Sequence, residues 1–142
     1  MILVVDDEPL SRMCTHRILE NLGFEVMSVE DGGKAVEAEA VGDFEAIIMD
    51  CQMPHVDGFQ ATEAIRQRQV LTHGALVPII GLSGRAMQGD KEIALAKGMD
   101  EYITKPVRIH KLHAALDHVG VRAPAGSIQP GEGRRARTRM SG

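Results

Sequence analysis

The chain has 142 residues, 44% of them apolar, with 16 Lys/Arg against 20 Asp/Glu for a net charge of −4. That suits one ordinary domain with its own core. No apolar stretch approaches the roughly 20 residues of a membrane span, and Asp6-Asp7-Glu8 interrupts the only apolar start, so neither membrane insertion nor a signal peptide is expected and the protein reads as cytoplasmic. Charge is uneven: residues 1–120 carry 11 basic and 19 acidic side chains, a balance of −8, while residues 121–142 carry five Arg and one Glu, a balance of +4. So acidic a body argues against a direct nucleic-acid surface.

Residues 1–5 read as a first strand. Residues 9–22 read as a helix, with Leu10, Met13, Cys14, Ile18 and Leu22 near helical spacing and Gly23 closing it. Phe24 to Val29 is a second strand, followed by a weak helix from Gly33 to Val41. Phe44 to Met49 is a third strand, apolar except for Glu45. Phe59, Thr62 and Ile65 open a third helix. Val77 to Leu82 is a fourth strand with Pro78 near its start, where proline is tolerated. Ala86 to Lys97 is a fourth helix closed by Gly98. Glu101 to Thr104 is a short fifth strand, and Ile109, Leu112, Leu116 and Val119 mark one face of a last helix.

The order is βα repeated five times. Strands this apolar are buried on both faces, as in a parallel sheet covered by helices. From Val121 to Gly142 the pattern stops; this Gly- and Pro-containing, Arg-rich segment is expected to be a disordered tail behind a single domain of residues 1–120. The cysteines form no metal spacing and no disulfide framework. Cys14 is expected at a core position of the first helix, and Cys51 as a small packing residue rather than a nucleophile.

Three apolar runs end abruptly in charge: Asp6-Asp7 after Ile2 to Val5, Asp50 after Ala46 to Met49, and Lys105-Pro106 after Tyr102 to Thr104. In a parallel α/β sheet ligands bind outside the carboxyl ends of the strands, so three carboxylates and one ammonium converge on one pocket. Two carboxylates about 4 Å apart repel by roughly 4 kcal/mol at an effective dielectric of 20. Three carboxylates, one lysine and one divalent cation sum to zero. That is a pattern for holding a divalent cation on oxygen ligands beside a reactive carboxylate.

These residues, together with Val5-Asp6-Asp7-Glu8-Pro9, the run from Met49 to Arg66, Gly81-Leu82-Ser83-Gly84 and Tyr102-Ile103-Thr104-Lys105-Pro106, resemble a response-regulator receiver domain of two-component and phosphorelay signalling. The look is closest to receivers of hybrid histidine kinases. The resemblance covers residues 1 to about 119 and implies a flavodoxin-like (βα)5 fold, a doubly wound parallel sheet of strand order 2-1-3-4-5. It implies that Asp50 accepts a phosphoryl group from a phosphohistidine of a sensor histidine kinase or histidine phosphotransfer domain. Mg²⁺ would be held by Asp7, Asp50 and the backbone carbonyl of Gln52, with Asp6 on a metal-bound water. Lys105 and Ser83 would meet the phosphoryl oxygens, and Ser83 and Tyr102 would act as the switch of the face built by the fourth helix, fifth strand and fifth helix. A homodimer formed on phosphorylation is a further implied outcome, and a cis Lys105–Pro106 peptide is usual in the family.

The chain departs from the usual pattern at Gly81 and Gly84, where alanine is common; glycine here is expected to loosen the coupling from Ser83 to Tyr102. Gln52 and Arg85 stand at positions that border the phosphoryl group. Taken singly, each residue has a plainer reading: Asp6-Asp7 as a solvated turn with a helix cap, Asp50 as a turn residue, Lys105 as a surface lysine, Tyr102 as an ordinary strand aromatic. His110 and His113 lack the further ligands of a zinc site and read as a solvated or partner-binding face, and His55 as an exposed loop residue. A Mg²⁺-dependent phosphatase of the haloacid dehalogenase type is disfavoured because Gln52 stands where its second carboxylate belongs. A flavodoxin-like cofactor binder is disfavoured because Asp6-Asp7-Glu8 repels phosphate when no metal is present. Met1 at the very start of the first strand fits either a minimal start or a module detached from a longer hybrid kinase.

Overall fold

A computed structural model describes residues 1–72, 74–84 and 89–123. Among them β1 (Ile2–Val5), α1 (Pro9–Asn21), β2 (Val26–Val29), α2 (Gly32–Val41) and β3 (Ala46–Asp50) are followed by α3 (Gly58–Leu71), β4 (Ile79–Ser83), α4 (Asp90–Ala96), β5 (Glu101–Thr104) and α5 (Ile109–His118). The strands form one parallel sheet in the order β2-β1-β3-β4-β5. Strand alternation splits the core in two. Leu3, Val5, Ile47, Met49 and Ile79 face α2, α3 and α4, and join Ala35, Ala61, Ile65 and Ala94. Ile2, Val4, Ile48, Ile80 and Leu82 face the other way and join Leu19 of α1 and Leu112 and Leu116 of α5. Burial on both faces is why β1, and β3 up to Asp50, are continuously apolar, whereas the edge strands β2 and β5 are only partly buried.

Most expected elements are present within a few residues of their expected ends. β3 and β4 each run on to include their polar terminal residue, Asp50 and Ser83, because the ladder continues through Asp50↔Leu82 and Ser83↔Thr104. The expected start of the fourth helix at Ala86 lies outside the described residues, as do Arg85 and the Arg run of the tail. Val121 departs from the expected disorder: it is buried in the α1/α5 core, and its N–H bonds to Leu116 O at 2.8 Å.

The face of α1 also departs from expectation. Cys14 is exposed rather than buried, and Leu10 and Met13 are 61% and 49% exposed. The buried residues are Thr15, Leu19 and Leu22. At about 100° per residue, residues 15, 19 and 22 define one stripe; Leu10, Met13 and Cys14 lie on a different arc, which the sheet does not reach. Ile109, at the start of α5, is likewise exposed while Leu112 and Leu116 are buried.

α3 is pinned at both ends. Asp57 caps it in a reciprocal box with Gln60, satisfying two orphan backbone donors. Gly58 lies flush against the end of β3, where a Cβ would fall 2.2 Å from Asp50 O and 2.9 Å from Cys51 Cα. At the far end Arg66 donates to Gly98 O, Val77 O, Gln69 Oε1 and Asp100 Oδ2 at 2.6–3.0 Å. Asp100 Oδ2 also accepts the N–H of Ile79 at 2.9 Å. Gly58→Ala is expected to lower unfolding stability by about 1–3 kcal/mol, the usual cost of overpacking; a denaturant titration against wild type checks this, and an unchanged midpoint would mean that the α3–β3 approach can relax freely.

Candidate functional site

The site forms where β1 and β3 lie side by side and both end in carboxylates. Asp6 follows β1 directly, is fully buried, and still bonds through its N–H to Val29 O at 3.2 Å. Its carboxylate accepts from the Glu8 N–H at 3.0 Å and the Ser11 hydroxyl at 2.6 Å, and pairs with Lys105 Nζ at 3.2 Å. Arg12 reaches back to its carbonyl at 2.9 Å. Ser11 and Arg12 were not singled out in the sequence. The only signal for them is their place in the first turn of α1, just beyond the carboxylates. Glu8 caps that turn through Ser11 N at 2.7 Å.

Asp50, the last residue of β3, is 3% exposed. Its Oδ1 accepts the Gln52 N–H at 3.2 Å and its Oδ2 lies 3.4 Å from Lys105 Nζ. Burial pushes the Asp50 carboxyl up to about 7; Lys105 opposes this and Asp6 adds to it. Burial also acts to depress the Lys105 ammonium, but the charges of Asp50 and Asp6 outweigh it and raise the group above its ordinary value. Asp7, by contrast, is exposed. One carboxylate oxygen from each of Asp6, Asp7 and Asp50 lies within 4.8 Å of the others.

That donor set fits a hard divalent cation. All three ligands are oxygens, and two oxygens on one Mg²⁺ stand roughly 3–4 Å apart at its bond length of about 2.1 Å. Two of the carboxylates are buried and share one ammonium, so a cation also relieves their repulsion.

Ser83 is buried at the end of β4 and hydrogen-bonded to the Gln52 side chain, whose Nε2 lies 3.1 Å from its hydroxyl. Tyr102 is half-buried on β5, its hydroxyl 3.5 Å from Asp90 Oδ2. Burial raises its phenol above the ordinary value, against a hydrogen bond with Ser83 that lowers it. A Cβ on Gly81 would fall 2.5 Å from Met99 Sδ, 3.2 Å from Cys51 Sγ and 3.3 Å from the Tyr102 ring. The missing side chain therefore leaves room for Met99 Sδ beside β4. Cys51 is buried, and burial, reinforced by Asp50, pushes its thiol up to about 12, so it is no thiolate nucleophile. The Lys105–Pro106 peptide is cis. His55 is exposed with φ 68°. His110 and His113 join no cluster of ligands; among the described residues the three aspartates are the one group able to hold a metal.

A family model described as "Response regulator receiver domain" matches residues 2–117. The chain is 40% identical over 111 residues to the sensor histidine kinase GacS of Pseudomonas protegens, which covers 78% of this chain but only 12% of that kinase. Among solved structures it is similar to the receiver domain of a Pseudomonas aeruginosa sensor histidine kinase, described with a magnesium ion coordinated in its active-site cleft (TM-score 0.71, 37% identity, 82% of this chain and 93% of that one). It is also similar to a chain in a complex of the Saccharomyces cerevisiae histidine phosphotransfer protein Ypd1 with the receiver domain of the response regulator Ssk1 (TM-score 0.73, 29% identity, 78% and 81% covered).

Asp50 holds its proton more tightly folded than unfolded, where a carboxyl of this kind titrates near 3.9. In metal-free protein its contribution to stability is therefore fully present below pH 4 and is lost as pH rises through about 7. Asp50→Asn removes that loss. In EDTA the variant is expected to be more stable than wild type by roughly 4 kcal/mol at pH 7.5, with the difference shrinking toward pH 4. Thermal melts of both proteins across this range check the sign; a gap that stays constant with pH would show that Asp50 is not the group responsible.

Proposed function

This chain belongs to the response-regulator receiver family, a family of signalling phosphoacceptor domains, and we propose that Asp50 is its phosphoacceptor. The single observation that carries this is the position of Asp50: at the pocket floor, one oxygen held by the Gln52 N–H and the other beside Lys105, with the oxygens of Asp6 and Asp7 close by. A carboxylate so placed can attack a phosphohistidine in line. A P–O bond to Asp50 forms as the P–N bond to the donor imidazole breaks. Lys105, already paired with two carboxylates, can swing its ammonium toward the new charge, and the Ser83 hydroxyl supplies a further donor. Asp7, Asp50 and the Gln52 carbonyl would hold Mg²⁺, with Asp6 nearby to take a metal-bound water, and the cation would supply charge neutralisation. Ser11 and the Glu8 N–H orient Asp6 for that role.

The donor is a phosphohistidine of a sensor histidine kinase or of a histidine phosphotransfer domain. Likeness to the sensor histidine kinase GacS, of whose length this chain spans 12%, supports this and suits a receiver module of a hybrid kinase. The exposed Leu10 and Met13 of α1 lie along the helix that starts beside Asp7. Such an apolar rim suits the packing of a partner helix next to the pocket. Output would run through Ser83 and Tyr102 to the α4–β5–α5 face, where Ile93 and Leu95 are exposed for protein contacts, a second copy of the chain included. No helix among the described residues is long and apolar enough to cross a membrane.

Intact-protein mass spectrometry after incubation with acetyl phosphate tests the assignment. A gain of one phosphoryl group that needs Mg²⁺ and is absent in Asp50→Asn is expected. The same gain in Asp50→Asn would refute it. Leu10→Glu with Met13→Glu is expected to slow transfer from a phosphohistidine protein donor by about tenfold, as loss of an interface anchor does, while the yield from acetyl phosphate stays unchanged. Equal loss with both donors would place these residues outside partner docking.

A further inference from the structure

Gln52 touches both halves of the pocket. Its backbone N–H donates to Asp50 Oδ1 at 3.2 Å. Its carboxamide reaches across to the end of β4: Nε2 donates to Ser83 Oγ at 3.1 Å, and Oε1 accepts from the Gly84 N–H at 3.3 Å and lies 3.4 Å from the Ser83 hydroxyl. β4 is the strand that pairs with β3 at Asp50, through Leu82, so Ser83 and Gly84 are the next donors along the pocket wall. A phosphoryl group brings three strong acceptor oxygens. Lys105 and a cation answer part of that demand; the rest falls to the hydroxyl and N–H that the carboxamide already engages.

We propose that Gln52 is a built-in competitor, whose carboxamide holds the Ser83 and Gly84 donors in the resting state and must be displaced before a phosphoryl group on Asp50 can take them. This rests on the reading of Asp50 as phosphoacceptor and adds a brake to it. A ligand shifts an equilibrium only by its differential affinity for the two states, so each resting bond to Gln52 subtracts from what the phosphoryl group gains. The residue is itself exposed, so the released carboxamide passes into water at little cost. Ser83, buried and tied to Gln52, cannot turn toward Asp50 while those contacts last.

The test uses beryllium fluoride with Mg²⁺ as a phosphoryl probe, titrated into the full chain and followed by fluorine NMR and by the Gly84 amide resonance. Gln52→Met keeps side-chain length and removes the hydrogen bonds; Gln52→Ala removes both. Each is expected to bind the probe roughly 2- to 10-fold more tightly, the worth of one ordinary hydrogen bond. The Gly84 amide should already be shifted in unliganded Gln52→Met. In a Ser83→Ala background the gain should shrink, because half of the competition is gone. A merely structural role would move the melting temperature and leave probe affinity alone. Unchanged or weaker binding in Gln52→Met overturns the competitor, as does a gain undiminished by Ser83→Ala. A wild type that binds no probe overturns the phosphoacceptor reading and this inference together.

Discussion

Everything in this protein turns on holding two buried carboxylates, Asp6 and Asp50, against a single ammonium. Like charges at such range repel by several kcal/mol even at a moderate effective dielectric, and burial removes the water that would screen them. Neither carboxylate could be kept there by loops. Each is the direct continuation of a fully buried strand, and the strands are neighbours in register, Val5 against Met49. Parallel direction then forces both chains to deliver their acids at the same pole. The apolar core supplies the rigidity, and Lys105 supplies part of the compensation. The remaining imbalance is of the sign that a divalent cation beside Asp7 would relieve.

The arrangement explains why so much of the fold and site could be read from the chain. A four-residue apolar run that breaks into charge leaves a strong trace, and it occurs here at β1 and β3, with a shorter and weaker one in β5. What could not be read was decided by side-chain direction and by contacts between distant residues. On α1 the apolar residues at 10, 13 and 14 looked like core because their spacing is helical; which arc of a helix meets the sheet is fixed by the crossing geometry, and that carries no local signal. Val121 follows a glycine and precedes a polar stretch, so its burial depends on the α1/α5 core and not on its neighbours in sequence. The reach of Gln52 to Ser83 spans 31 positions. Gly58 stands just ahead of Phe59, where the third helix is read to open, and its missing side chain is what lets α3 lie on the end of β3.

The receiver family uses the same frame for many partners, and this chain adjusts it in a consistent way around one spot. Gly81 gives its side-chain space to Met99; Cys51 Sγ lies 4.0 Å from Met99 Sδ, and both sulfurs border the position against which the Tyr102 ring packs. Thioethers are polarizable and adapt to irregular space. The Tyr102 hydroxyl lies 3.5 Å from Asp90 Oδ2 at the first turn of α4, so ring, strand and helix meet beside Asp50.

The opposite pole behaves differently. Arg66 there draws four acceptors from α3 itself and from the segments entering and preceding β4 and β5 into one charged knot. A guanidinium has a fixed fork of donors, so this knot tolerates little sliding of its partners. The segments that lead into β4 and β5 are thus tied to α3 by one guanidinium, while the carboxyl pole of the same sheet carries the three aspartates.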